Sequence, residues 1–137
     1  MQIGTVKPMR HFGLEEANKL IPLLTQTFDN VRPKLVRLKQ VDDDLEAQKE
    51  PQLELKRERV TLTEDIRDRL MFIEDMGIEI KAADGLVDFR ALMGERTVYL
   101  CWRYPEPEIT HWHELEQGYP GRRPIRPNDA FMKTFAS

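Results

Sequence analysis

From Ala17 onward, apolar residues recur at steps of three and four: Ala17, Leu20, Leu24, Phe28, Val31, Leu35, Leu38 and Leu45. That spacing puts them on one side of a rod with 3.6 residues per turn, and it predicts a long amphipathic helix. A second run follows Pro51, with Leu55, Leu62, Ile66, Leu70 and Ile73 as its stripe and Arg and Glu opposite. A helix of roughly 25–35 residues is ~40–50 Å long at 1.5 Å per residue. Two such rods joined by a short connection bury their stripes most simply by packing side by side, which gives an antiparallel hairpin.

The ends of these helices are marked. Gly13 is an acceptable N-cap, Glu16 can reach back to a free backbone N–H, and Phe12 and Ala17 stand where a hydrophobic staple joins. Pro22 and Pro33 each remove a helical hydrogen bond, and because the periodicity survives both they predict kinks. The alternative is a short helix ending near Thr27 and another starting near Asn30. The polar run 42–50 ends the first helix near Lys49. Pro51 suits the first position of the second helix, which runs to about Met76 and stops at Gly77.

After Gly77 the period changes. Residues 78–81 alternate and predict a short strand, 82–85 a turn, and 86–89 a strand or an irregular segment. Residues 97–103 are the best strand by composition, 104–107 a turn, and 108–113 a second strand pairing with it as a hairpin. Residues 114–127 read as irregular, and 128–137 are left unassigned. The predicted class is α+β: a long antiparallel two-helix hairpin followed by a small, mostly antiparallel β-unit. We expect one domain over 1–137, with the hairpin at 12–76, the β-unit and its loops at 77–127 and a tail at 128–137.

Composition excludes several functions. The 137 residues carry a net charge of −3, too small and of the wrong sign to favour nucleic acid or an anionic membrane. No apolar run approaches the ~18 residues of a membrane helix or has the pattern of a signal peptide. A single cysteine rules out an intrachain disulfide. The expectation is a cytoplasmic protein.

Rare residue types crowd into 99–123. On a strand, Ile109, His111 and His113 point one way, and Glu108, Thr110 and Trp112 the other. His111 and His113 form an H-x-H pair able to hold one metal, with Glu114, Glu116, Glu106, Glu108 or Asp88 as oxygen donors. Two histidines and a carboxylate with open positions suit zinc or iron. The plainer reading has one histidine solvated and the other hydrogen-bonded to a carboxylate. A second arrangement pairs His113 with Glu114 or Asp88 near neutral pH, with Arg103 and Arg122 holding an anionic ligand and Trp102 and Trp112 as apolar walls. Both tryptophans serve equally as anchors between sheet and helices. Cys101 reads as a buried small hydrophobe, since a nucleophile would need His113 as its base. Residues 118–126 form a basic loop that holds an anion or wraps back as a structural turn.

One family shares this order of motifs: the segment 12–24, Val31-Arg32-Pro33, the segments 77–81, 85–89 and 98–103, Glu106-Pro107-Glu108-Ile109, Trp112-His113-Glu114 and the segment 118–122. The chain resembles the bacterial domain of unknown function family 2203 over nearly its whole length. The resemblance implies no activity, and the pattern carries Trp-His-Glu without His111. The leading expectation is a non-enzymatic, self-associating or protein-interaction module, with a homodimer covering the leftover helical stripe. The runner-up is a small metal- or ligand-binding enzyme with its site around His113.

Overall fold

The computed structural model describes residues 10–131. Three helices come first: α1 (Leu14–Lys19), α2 (Ile21–Glu46) and α3 (Gln52–Glu74). Five strands follow: β1 (Glu79–Ala82), β2 (Leu86–Met93), β3 (Arg96–Arg103), β4 (His111–His113) and β5 (Arg123–Pro124). They form a single antiparallel sheet in sequence order, each strand beside the one before it. The α+β class and the helical hairpin α2–α3 are as the sequence predicts. No helix among the described residues is long and apolar enough to cross a membrane.

The first helix starts at Gly13, whose N–H donates to Glu16 Oε1 at 2.9 Å, and Phe12 is fully buried edge-on to Phe89. The two prolines differ. Before Pro22 the rod breaks: Leu20 caps α1 with a three-residue bond to the Ala17 carbonyl, which puts Pro22 in the first turn of α2. There its missing N–H costs nothing. Pro33 lies inside α2, and the helix runs through it without a break, so the alternative of two helices divided between Thr27 and Asn30 does not occur. The second long helix starts one residue later than expected, with Pro51 as its N-cap, and ends before Gly77 at φ +93°.

The sheet has two unlike faces because side chains alternate along each strand. Val87, Phe89, Ala91, Val98, Leu100, Trp102 and Trp112 turn toward Leu24, Phe28, Val31, Ile66 and Ile73 of the helices and make one apolar core. Ile109 also lies in that core. It does not share a face with His111 and His113, because regular strand begins only at His111 and the alternation fails before it. The segment read as irregular contains a 3-10 turn (Tyr119–Gly121) and β5. In the unassigned tail, Phe131 bridges Met93; residues 132–137 lie outside the described ones. Toward the helical tip, Val41 and Leu55 are buried against each other's helices outside the main core. Exposed pairs Arg37–Glu58 and Asp42–Arg59 link the helices there, screened by solvent.

Gly85 closes the β1–β2 turn at φ +123°, and a Cβ there would stand 2.4 Å from Tyr104 Cβ. Its carbonyl accepts the Tyr104 N–H at 2.7 Å, so the turn and the loop after β3 are clamped together. Gly85→Ala adds left-handed strain and a steric clash, and should cost roughly 2–4 kcal/mol. Urea unfolding with an unchanged slope and a lowered midpoint is the expected result; a midpoint equal to wild type would contradict the clamp.

Candidate functional site

The face of the sheet turned away from the helices is polar. Register sets Glu79, Asp88, Cys101 and His111 across one row and Arg90, Tyr99 and His113 across the next. Two of these groups are as buried as the core: Asp88 at 3% exposure and His113 at 1%. Leu115, Gln117, Gly118 and Tyr119, from the chain that leads out of β4, line a cavity together with them.

His113 reaches over β3 to β2. The two strands stand ~9.6 Å apart, twice the interstrand spacing, a gap that one imidazole and one short carboxylate can bridge. His113 Nδ1 lies 2.8 Å from the Glu114 carbonyl, which can only accept, so Nδ1 carries a hydrogen. His113 Nε2 lies 3.0 Å from Asp88 Oδ1. A lone pair facing a carboxylate would repel it, so one proton lies between these two atoms. Burial pushes the Asp88 carboxyl above its ordinary range, while the charge and hydrogen bond of His113 pull it back.

Cys101 stands opposite Asp88 and joins the same cluster. Asp88 raises the pKa of its thiol and Arg122 lowers it, so the two charges act on Cys101 in opposite senses. Burial, aided by the charge of Asp88, pushes the Cys101 thiol up to about 12, so it stays protonated at neutral pH and is no nucleophile there. Arg122 is in turn held by Glu106 in a two-pronged pair, Nη2–Oε2 at 2.7 Å and Nη1–Oε1 at 3.2 Å. Burial opposes the Glu106 charge, but Arg122 and the Arg103 N–H outweigh it and hold the carboxyl below its ordinary range.

Beside the pair lies a cavity of about 190 Å³ lined by Leu86, Asp88, Tyr99, His113, Leu115 and Tyr119, with Lys81, Gln117 and Gly118 at its edge. Glu79 organises one edge: it accepts from Tyr99 Oη at 2.8 Å, Lys81 Nζ at 2.9 Å and Arg90 Nε at 3.0 Å.

Of the residues singled out by sequence, the structure brings Asp88 and His113 together. Glu114 offers its carbonyl to His113, but its carboxylate pairs with Arg96 at 3.2 Å. Glu108 is exposed. His111 shares the face of His113 but bonds Thr110 and lies beside Arg122 and Glu106, where burial and then the Arg122 charge lower its pKa. The H-x-H pair therefore does not converge on one point. Arg103 pairs with Asp84. Trp102 and Trp112 lie in the core on the opposite face and form no wall of the cavity. Sequence reading gave Cys101, Tyr99, Lys81 and Glu79 no part in the site. Parity along β3 offered a signal, because Tyr99, Cys101 and Arg103 alternate with Leu100 and Trp102.

Removing either partner of the pair tests this geometry. Asp88→Asn keeps a donor facing Nε2 and should stay within about 1 kcal/mol of wild type. His113→Leu leaves a buried carboxylate alone and should cost about 3–5 kcal/mol at neutral pH. A raised folded-state pKa means stability is lost as pH rises through it, so that deficit should shrink as the pH falls through the titration of Asp88. Chemical denaturation between neutral and mildly acidic pH measures both. A deficit independent of pH would mean that His113 acts only by filling space.

Comparison with known proteins gives a family without a function. No curated protein and no solved structure matches the chain. A family profile described as "Uncharacterized conserved protein (DUF2203)" matches residues 10–125, which include both long helices and the strands bearing Asp88, Cys101 and His113. The chain belongs to the DUF2203 family.

Proposed function

We propose that this protein binds a small polar molecule or ion on the polar face of its sheet and performs no covalent catalysis there. The observation that carries this reading is the proton-sharing Asp88–His113 pair on the wall of a cavity. A buried pair of this kind adds little net stability compared with apolar side chains of the same volume. Buried titratable groups beside a cavity are the usual mark of a binding or reacting site. Cys101 is a thiol, and both nitrogens of His113 are engaged, so neither stands ready as nucleophile or base. The cavity, about 190 Å³, is below the ~300–1,000 Å³ of drug-sized sites and suits a small metabolite.

The test is thermal unfolding against a library of small polar metabolites, with Leu86→Trp filling the cavity. A ligand at ten times its Kd should stabilise the wild type by about 1.4 kcal/mol, a Tm rise of roughly 5 °C. The rise should vanish in Leu86→Trp. A library without effect on the wild type, or a rise that survives the filled cavity, would overturn the reading.

A second reading concerns the helical arm. Leu53, Val60 and Met71 are 56%, 54% and 48% exposed. They are 7 and 11 residues apart, close to two and three whole turns, and therefore form one stripe on the outer side of α3. We infer that a second copy covers this stripe in a four-helix arrangement. Light scattering should give twice the 16.2 kDa of one chain, and Val60→Glu should return it to a single chain. A wild-type monomer at high concentration would remove this reading.

A further inference from the structure

We propose that Asp88, Cys101 and His113 together hold a zinc ion, with its fourth position open to the cavity. This narrows the reading of the polar face to a metal ion and rests on that face being a binding site. The three residues come from three adjacent strands, β2, β3 and β4, and each is fully or almost fully buried. Each offers one ligand atom, Oδ, Sγ or Nε2, and these atoms lie within 4.8 Å of one another. Zinc bonds of about 2.0–2.3 Å at tetrahedral angles put ligand atoms ~3.3–3.6 Å apart. The triangle therefore needs to contract by roughly 1.5 Å at most, within the reach of side-chain torsions.

Three further features fit a metal. The first is the orientation of His113. Its Nδ1–H is tied to the Glu114 carbonyl at 2.8 Å, the outer-shell bond that typically orients a metal-binding imidazole, and this leaves Nε2 facing Asp88, free to bind a metal once the shared proton leaves. The second is charge. A divalent ion with one carboxylate, one thiolate and one neutral imidazole is neutral overall, which suits a buried place. Arg122, anchored by Glu106, carries a positive charge that favours the thiolate form of Cys101. The third is softness. A set of one sulfur, one nitrogen and one oxygen donor favours zinc over iron, and with His111 bonded to Thr110 the two-histidine set that suits iron is not assembled.

Binding proceeds by exchange. The ion takes the place of the proton between His113 Nε2 and Asp88 Oδ1, and the Cys101 sulfur bonds the ion as its own proton leaves. Both protons pass to solvent.

The experiment uses full-length protein stripped by chelator, with zinc alone and cobalt alone as probes. One zinc per chain is expected by native mass spectrometry and calorimetry. Cobalt should show the absorption of a cobalt–thiolate bond. Cys101→Ser keeps the shape of the side chain and should abolish that absorption and weaken zinc at least tenfold, with the fold checked by circular dichroism. Asp88→Asn should weaken zinc similarly. Zinc affinity unchanged in both variants would overturn the proposal. So would the absence of zinc binding in a wild-type chain that is still stabilised by a small molecule in a Leu86-dependent way, an outcome that leaves the binding face standing. Absence of both responses would overturn both.

Discussion

Trp102 is fully buried 6.0 Å from Phe28 and edge-on to Tyr104, and its indole N–H donates to the Glu106 carbonyl at 2.7 Å. One side chain thus joins α2, β3 and the loop after β3. The loop is also tied to α2 through Tyr104 and the Asp29 carboxylate. With its backbone fixed, Glu106 can turn its carboxylate to the Arg103 N–H and to Arg122. Arg122 then meets Cys101, Cys101 meets Asp88, and Asp88 meets His113. The polar cluster on one face of the sheet is suspended from an apolar anchor on the other.

The alternation of β3 makes this possible. Leu100 and Trp102 supply the burial that holds the sheet to the helices, while Tyr99 and Cys101, their neighbours in sequence, face the cluster. A buried carboxylate is costly unless every lone pair finds a donor. Here Asp88 receives the shared proton of His113, and the Arg122–Glu106 pair lies half-buried on the same face, with Cys101 under the charges of both Asp88 and Arg122. Such a network specifies geometry more than it stabilises the fold.

The helices and strands were legible in the sequence because each depends on a local period. Leu24, Phe28 and Val31 repeat at helical spacing, and Gly77 and Gly85 stop and turn the chain where they must. The interruption at Leu20 was hidden, since a proline two residues on is compatible with a kink or a fresh start. Three strands make the site, and their mutual register is not local. That Asp88 lies opposite Cys101 and Tyr99 opposite His113 follows from the β2–β3 turn at Gly94 and from where β4 begins. The sequence placed His111 and His113 on one face but could not show that a ring from β4 would cross β3 to find Asp88. It also left Cys101 among the apolar residues, because a cysteine flanked by Leu100 and Trp102 resembles core until its own face is known.

The two ends of the molecule are held by different forces. At the base, Arg32 donates to the Asp84 carbonyl at 2.7 Å and α2 is locked to the sheet. Toward the tip, among the described residues, the helices hold each other through Val41, Leu55 and exposed ion pairs. Segments held by few buried contacts open independently of the core. Changes along the outer stripe of α3 share no partner with Asp88, Cys101 or His113, so their effects should add rather than couple. The outer stripe of α3 shares no residue with the cavity beside Asp88 and His113.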